Sequence, residues 1–276
     1  MEKIKIRENT VQETLVIPLY GRKLCTERHP NLFRDDRAAT LMERLDYDFS
    51  KLEAKQSKFF QRFGALEVGM RQTAMMTEVR QYLKKHPAAA VVNMGCGLDY
   101  TGEVCDNGQC RIYNMDRPDV IALRNRLLPP GERTENIAAD LKDTAWFDAV
   151  DASEGVIFFA AGVFYYFIRE EAHELFRAMV KQFPGGVLVF DTAGKMATKM
   201  AVKTWLREIG STVKKLFYVN RMDRDLAPFL PDVRLSTKGY MTGYNDLTDP
   251  SISRPLRWMS RFSDGPLSLQ IIKMVF

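Results

Sequence analysis

Short apolar runs alternate with longer amphipathic segments along most of this chain. Runs without polar alternation are typical of strands buried on both faces, and apolar residues spaced three and four apart predict helices with one buried face. Strands that alternate with helices predict an α/β fold with a doubly wound, mostly parallel sheet. The predicted strands cover Ala89–Met94, Arg111–Met115, Asn136–Ala139, Gly155–Ala160 and Gly186–Phe190, and Leu267–Phe276 is expected to add a late strand.

Two predicted helices lie between these strands. One begins at Pro118 and ends before Pro129, which fits the preference of proline for the first helical turn. The other covers Arg169–Phe183 and carries two glutamates at its positive N-terminal end. These connections complete the alternation that the sheet prediction requires.

The segment before the first of these strands is mainly helical in this interpretation. Residues 1–37 are polar apart from an apolar island at Leu15–Gly21. Helices are predicted from about Ala38, over Phe49–Phe63 with a stop at Gly64, and over Leu66–His86. We therefore expect residues 1–87 to form an N-terminal helical lid segment and residues 88–276 a core, together in one structural domain.

The first long strand ends in a glycine turn, Gly95-Cys96-Gly97, followed by Asp99. Glycines allow a sharp turn and let a ligand approach where a Cβ atom would clash. In a parallel α/β sheet, ligands bind outside the carboxyl ends of the strands. The alternative is a chance turn, because two spaced glycines alone are a weak signal.

Two carboxylates follow the next two predicted strands. Asp116 stands 19 residues after Gly97, where an acidic residue can accept hydrogen bonds from both ribose hydroxyls of an adenosine ligand. The alternative is a helix N-cap before Pro118, but the position relative to the glycine turn favours the ribose. Asp140 either accepts a hydrogen bond from an adenine amino group or is a loop carboxylate.

The residues after the glycine turn discriminate between nucleotides. A dinucleotide fingerprint needs a third glycine where this chain has Tyr100, and Asp99 places negative charge where a pyrophosphate would bind. A carboxylate near the turn suits a ligand with a cationic end instead. S-adenosylmethionine has an ammonium and a sulfonium and carries no phosphate, so it is the expected cofactor.

The composition of the chain gives no indication of a nucleic-acid, membrane or metal partner. The 276 residues are 46% hydrophobic and 27% charged with a net charge of +5, which are ordinary globular values. Basic residues do not interleave with aromatic ones as in nucleic-acid-binding surfaces, and no signal peptide or membrane span is recognisable. The cysteines lack a second pair of zinc ligands, so we expect no metal and a cytoplasmic protein with reduced thiols.

Several motifs resemble the leucine carboxyl methyltransferase and polyketide O-methyltransferase superfamily, within the Rossmann-like S-adenosylmethionine-dependent methyltransferases. The resemblance covers most of the chain and rests on the order and spacing of the motifs. They are Glu13-Thr14-Leu15, Pro18-Leu19-Tyr20-Gly21-Arg22, Gly69-Met70-Arg71-Gln72-Thr73, Val91 to Asp99, Tyr113-Asn114-Met115-Asp116-Arg117-Pro118, Ile137-Ala138-Ala139-Asp140-Leu141, Gly162-Val163-Phe164-Tyr165-Tyr166-Phe167, Asp223–Leu226, and Pro231-Asp232-Val233-Arg234.

The resemblance implies an S-adenosylmethionine-dependent O-methyltransferase that acts on a carboxylate or hydroxyl of a small molecule. Arg71 matches an arginine that binds the methionine carboxylate, which a guanidinium fork fits well. The implied cofactor-binding set is Arg71, Gly95, Cys96, Gly97, Asp116, Arg117, Asp140 and Leu141. We expect the acceptor to contact Tyr20, Arg22, Tyr165 and Tyr166, and an insertion from Lys195 to about Val219 to complete the acceptor pocket.

The chain departs from the family pattern at two places. Ala161 stands where many members have glutamate, which leaves the amino end of the cofactor with one carboxylate fewer. Tyr100-Thr101 replaces a Thr-Arg pair. No general base is assigned, because an ionised carboxylate acceptor needs none; His29, His173 and the tyrosines are the candidates for a hydroxyl acceptor.

Other functions stay open at the level of sequence. The alternatives are a methyltransferase acting on a protein C-terminal carboxyl group, an NAD-type oxidoreductase, and a cofactor-binding protein without catalysis. Tyr100 disfavours the oxidoreductase. The sequence does not identify the acceptor or the oligomeric state.

Overall fold

The computed structural model of the protein describes residues 3–6, 11–50, 52, 58–204 and 216–276. The strands are β1 (Ile4–Lys5), β2 (Leu45–Asp46), β3 (Ala90–Met94), β4 (Arg111–Asp116), β5 (Thr134–Ala138), β6 (Val156–Ala160), β7 (Val187–Thr192), β8 (Arg234–Gly239) and β9 (Gln270–Val275). The helices are α1 (Val11–Arg28), α2 (Asp36–Glu43), α3 (Lys58–Leu83), α4 (Thr101–Val104), α5 (Pro118–Leu127), α6 (Arg169–Gln182), α7 (Lys195–Thr204), α8 (Met222–Asp225) and α9 (Arg254–Asp264).

Seven of these strands form one sheet, in the order β5-β4-β3-β6-β7-β9-β8. Strands β3 to β7 are parallel, and β9 is antiparallel to both of its neighbours. The chain moves outward from β3 to β5 and then returns to β6 on the other side of β3. This reversal opens a crevice at the carboxyl ends of β3 and β6, where open α/β sheets bind ligands.

Both faces of the sheet are covered, which explains the unbroken apolar runs. Strands β3, β6 and β7 are buried along their whole length. On β6, Phe158 joins the core beneath α6, whereas Phe159 joins the core beneath α3. This alternation confirms the predicted Rossmann-like sheet, and the five predicted parallel strands lie within two residues of their expected bounds.

The N-terminal region differs from the prediction. Helix α1 extends through the interior of a segment that we expected to be polar, and it contains Pro18, which disfavours a helix interior. Tertiary packing outweighs this local preference, since Val16 and Leu19 are fully buried. Gly69 of α3 lies against Cys25 with no room for a side chain, so the two helices pack closely.

Helix α3 also corrects a predicted boundary. It continues through Gly64, which we expected to end a helix, and it joins the predicted third helix to the end of the second. An isolated glycine lowers helix propensity by about 1 kcal/mol and does not by itself end a packed helix. Residues 51 and 53–57 of the predicted helix Phe49–Phe63 lie outside the described residues.

Three C-terminal elements, β8, α8 and α9, were not predicted. Strand β8 is an edge strand whose side chains are mostly exposed, so its sequence lacks a strong apolar pattern. The predicted late strand is confirmed as β9. In the expected insertion Lys195–Val219, helix α7 covers the beginning, and residues 205–215 lie outside the described residues. No helix among the described residues combines the length and apolar character that crossing a membrane requires.

Candidate functional site

The glycine turn after β3 lies in the crevice and is attached to the neighbouring strand. Gly95 and Gly97 have φ angles of 63° and 48°, which favour glycine. A Cβ atom on Gly95 would lie 2.6 Å from Cγ2 of Val163. The backbone N–H of Cys96 donates to the carbonyl of Met115 at 2.9 Å. The turn is therefore a rigid cradle of backbone with little room for side chains.

Asp116, the last residue of β4, faces this turn. Its Oδ2 accepts a hydrogen bond from the N–H of Gly97 at 2.8 Å, and its Oδ1 accepts from the N–H of Arg117 at 2.8 Å. Burial raises the pKa of Asp116 above its ordinary value, although the two N–H groups act in the opposite direction. Each oxygen keeps acceptor capacity for further donors, which ribose hydroxyls could supply.

Asp99 behaves differently from the expectation of a carboxylate facing the ligand. Its oxygens accept from Gln72 at 2.9 Å, from Asn93 at 3.2 Å and from the N–H and hydroxyl of Thr101. Protein donors thus occupy this carboxylate, which lies two residues before the start of α4. The negative charge stays close to the turn, but its contacts are structural.

Arg124 supports the turn from behind. This arginine is fully buried on α5 and donates to the carbonyl oxygens of Gly97 and Asp99, at 3.1 and 2.5 Å. Its Nη2 pairs with Glu103 at 2.9 Å. Two carbonyls of the turn are thereby held by one guanidinium group.

On the other side of the crevice, Arg71 lies in a cluster of acidic and phenolic groups. Its Nη1 is 3.2 Å from Oδ2 of Asp191, whose side chain is fully buried. Burial opposes the charge of Arg71, but Asp191, Tyr240 and Glu67 outweigh that effect and raise its pKa. The hydroxyl of Tyr240 donates to Glu67 at 2.9 Å.

Helix α1 covers the glycine turn. A Cβ atom on Gly97 would lie 3.0 Å from Cδ2 of Leu15, and the side chain of Thr14 hydrogen-bonds the hydroxyl of Tyr166. Tyr166 keeps 49% of its surface exposed beside the turn. Tyr20, farther along α1, stacks on Phe49 with ring centroids 6.4 Å apart. Helix α1 therefore packs against the glycine turn.

The remaining predicted site residues are divided between the crevice and the scaffold. Arg22 is buried, pairs with Asp35 at 2.7 Å and donates to the carbonyl of Leu98 at 2.9 Å. Asp140 follows β5, is exposed, and accepts from the N–H of Lys142 at 3.0 Å. Leu141 packs against the core beneath α6, and the side chain of Arg117 is exposed.

The two candidate histidines are buried in structural contacts. The ring of His173 lies against that of Phe229, tilted by 34° with centroids 4.2 Å apart, and burial, with Arg169 and Arg177, lowers the pKa of His173 to about 4. His29 lies 2.8 Å from the hydroxyl of Ser251, and burial lowers its pKa. Tyr165 has the opposite shift: burial, with Asp191, raises its pKa well above the ordinary value.

Sequence reasoning did not single out Asp191, Glu67 or Arg124. Asp191 follows an apolar run at the end of a predicted strand, a signal that could have identified it. Glu67 precedes Arg71 by one helical turn, which could also have linked them. Arg124 offered no signal, since arginines on amphipathic helices are usually exposed. Among the described residues, no group of histidine, cysteine and carboxylate side chains could hold a metal ion, and the four cysteines are buried and unpaired.

Comparisons with known proteins agree with this geometry. A family model described as leucine carboxyl methyltransferase matches residues 16–180. The chain is 28% identical over 211 residues to the tetracenomycin polyketide synthesis O-methyltransferase TcmP of Streptomyces glaucescens, covering 75% of each chain. It is 27% identical over 215 residues to the S-adenosyl-L-methionine-dependent methyltransferase dpfgK of Gibberella zeae, covering 71% of each.

A solved structure shows the same fold. The putative methyltransferase from Thermobifida fusca superposes with a TM-score of 0.61 at 15% identity, covering 87% of this chain and 92% of that one.

Proposed function

The chain belongs to the leucine carboxyl methyltransferase family, and from this premise we propose that it methylates a carboxylate or acidic hydroxyl oxygen of a small molecule. The expected family and the class, an S-adenosylmethionine-dependent O-methyltransferase, are both confirmed. The observation that carries the proposal is the glycine turn, where the N–H of Gly97 donates to the carboxylate of Asp116 and Arg124 holds two carbonyls from behind. The identity of the acceptor and the residue roles below are our assignment.

The crevice suits the adenosine half of the cofactor. Gly95 and Gly97 have no side chain that would block a ligand, and Cys96 between them is buried. Asp116 would accept from the ribose hydroxyls with the capacity that Gly97 and Arg117 leave to it. Asp140 would accept from the adenine amino group, and Leu141 would contact the ring.

Arg71 suits the methionine half. Among the described residues, its hydrogen bonds use only Nη1, so Nε and Nη2 can bind a carboxylate in the paired geometry that guanidinium groups favour. Its side chain keeps 14% exposure, which is enough for contact with a ligand. The cofactor would then extend from Asp116 to Arg71 across the glycine turn.

Residues 1–87 would close over this cofactor as a lid on the core of residues 88–276. Tyr20, Tyr165 and Tyr166 would surround the acceptor, with the exposed ring of Tyr166 nearest the glycine turn. Arg22 is held by Asp35 and by the carbonyl of Leu98, so we assign it to the attachment of α1 to the core rather than to the acceptor. Buried free thiols suit a reducing compartment such as the cytoplasm.

The chemistry needs little from the protein beyond alignment. When bound, S-adenosylmethionine supplies a methyl group that passes to the acceptor oxygen, while the electron pair of the carbon–sulfur bond stays on sulfur. A carboxylate acceptor is already ionised at neutral pH and loses no proton in the step. A hydroxyl acceptor would release its proton to water. The residues of the crevice would act by holding donor and acceptor in line, which can supply most of the rate.

The test is the identity of the product. Purified protein is incubated with S-adenosylmethionine and a panel of small carboxylic acids, phenols and amines, together with peptides ending in leucine. Mass spectrometry is expected to find methyl esters or methyl ethers of small molecules. Methylation of amines alone, or of peptide C-termini alone, would overturn the assignment of the acceptor.

A further inference from the structure

The expected cofactor site lacks one carboxylate at a position where many family members carry glutamate. Ala161, the residue after β6, has no charge and leaves the amino end of the cofactor with one carboxylate fewer. The structure places another carboxylate nearby. Asp191 lies at the end of the adjacent strand β7, and its side chain has no exposed surface.

Asp191 joins two parts of the crevice that are far apart in sequence. Its Oδ1 accepts from the backbone N–H of Gly162 at 2.6 Å, and its Oδ2 lies 3.2 Å from Nη1 of Arg71. Gly162 has a φ angle of 75°, and a Cβ atom there would lie 3.3 Å from the same nitrogen of Arg71. The carboxylate on β7 therefore joins two groups, one from the loop after β6 and one from helix α3.

We propose that Asp191 is a positioning residue for the amino-acid end of the cofactor, which fixes Arg71 and the Gly162 loop and supplies the negative charge that Ala161 lacks. A fully buried side chain cannot touch a ligand in the crevice, so Asp191 acts through the groups that it holds. Asp191 fixes Nη1 of Arg71, so the edge formed by Nε and Nη2 of the guanidinium is left for the carboxylate of the ligand. Its charge favours an ammonium group nearby through a medium of low dielectric constant.

This role differs from that of an ordinary buried ion pair. Such a pair adds little net stability, because removing its charges from water offsets much of their attraction. A positioning role predicts a specific loss for ligands that carry the amino-acid end. A structural role predicts an equal loss for all ligands of the crevice.

The inference rests on the proposed function and is tested with two ligands. S-adenosylhomocysteine carries the amino-acid end, whereas 5′-methylthioadenosine has the same adenosine and thioether without it. Calorimetry of both ligands with the parent protein and with Asp191→Asn measures the ratio of the two affinities. We expect Asp191→Asn to weaken S-adenosylhomocysteine by about 10- to 100-fold, a size typical of lost alignment, and 5′-methylthioadenosine by less than about 2-fold.

A matched control is Asp264→Asn. Asp264 is a partly buried carboxylate that, like Asp191, accepts from the backbone, here from the N–H groups of Met241 and Thr242, and it contacts none of the crevice residues described above. Its substitution should lower the melting temperature and leave both affinities unchanged. Should Asp191→Asn be unfolded, Asp191→Glu moves the carboxylate by one methylene and is measured by the same ratio.

Equal weakening of both ligands, or no weakening of either, would overturn the positioning role. If the parent protein binds S-adenosylhomocysteine, the proposed function stands even when Asp191→Asn fails this test. A parent protein that binds neither ligand would remove the proposed function and the inference together.

Discussion

The backbone N–H of Gly97 donates to Oδ2 of Asp116 at 2.8 Å, so the turn after β3 and the end of β4 are joined before any ligand arrives. This hydrogen bond orients the carboxylate and leaves it one acceptor position per oxygen for the ribose. Preorganisation of this kind lowers the cost of ordering groups on binding. The same contact that shapes the turn thus prepares the site for adenosine.

Replacing Asp116 by Asn should weaken cofactor binding. The variant keeps one acceptor oxygen but loses the charge that strengthens hydrogen bonds to the ribose, and we expect a loss of about 1–3 kcal/mol. Asp119→Asn, which removes a partly exposed carboxylate on the first turn of α5, is the matched control and should change affinity little. Calorimetry with S-adenosylhomocysteine measures both affinities. Equal affinities of the two variants would contradict the assignment of Asp116 to the ribose.

The pH dependence of cofactor binding should follow Asp116. Because burial raises its pKa above the ordinary value of 3.8, the carboxylate takes up a proton at a higher pH than an exposed aspartate. Ribose donors favour the ionised form, so affinity should be full above this raised pKa and fall as pH decreases through it. Asp116→Asn should bind with no such pH dependence, which titrations at several pH values would show.

Asp116 should make the folding stability depend on pH in the direction opposite to that of cofactor affinity. A group whose pKa is raised in the folded state stabilises the fold below its unfolded pKa, and that contribution is lost as pH rises through the folded value. The urea midpoint of the ligand-free parent protein should therefore decrease as pH rises through the pKa of Asp116 in the folded state, and Asp116→Asn should lack this decrease. The same pH dependence of the urea midpoint in the parent protein and in the variant would contradict this.

Gly95 should be intolerant of a side chain. Gly95→Ala places a residue with a φ angle of 63° against Cγ2 of Val163, and it adds a steric clash to the backbone penalty of about 1–2 kcal/mol. Gly108→Ala is the control, because φ is 83° there and nothing lies within 4 Å of the new Cβ. Urea unfolding should give a larger loss for Gly95→Ala, and equal losses would show that Val163 moves aside.

The sequence predicted the sheet better than it predicted the N-terminal helices. Apolar runs such as Val156–Ala160 are buried on both faces and admit one interpretation, so the parallel strands and the glycine turn were located correctly. Helix α1 contains Pro18 and packs along α3, and no local pattern in the sequence reveals this tertiary contact. The predicted helix end at Gly64 was wrong because helix α3 is packed on its neighbours and continues through this glycine.

The residues of the candidate site also divide into those that local sequence patterns predict and those that depend on tertiary contacts. Asp116 and the glycine turn follow from their place at the ends of strands. Asp191 and Glu67 depend on which strand ends and helix turns meet in space, and the partner of Arg22 depends on the course of α1. Pairings between distant segments are therefore the part that the sequence left open.

Arg124 should be required for stability. Arg124→Met leaves Glu103 and two turn carbonyls without their buried partner, which typically costs about 3–5 kcal/mol. Arg126→Met on the exposed side of the same helix is the control and should cost little. Urea unfolding measures both, and a loss from Arg124→Met no greater than that of the control would show that the turn does not depend on this arginine.

His173 should affect the stability of the protein at low pH and leave catalysis unchanged. Its pKa is lowered from 6.5 to about 4, so between these values the unfolded chain binds a proton that the folded protein does not. The stabilising contribution is present above pH 6.5 and is lost as pH falls through about 4. His173→Gln should reduce this dependence, measured as the urea midpoint across that range, whereas His86→Gln, at an exposed histidine, should not.

His173 should not act as a general base, because an imidazole with so low a pKa is a weak base. The decrease in kcat of His173→Gln at neutral pH should therefore be far smaller than the 10²- to 10⁴-fold loss typical of removing a general base. A loss of that size with an intact fold would retain O-methylation and make His173 the base.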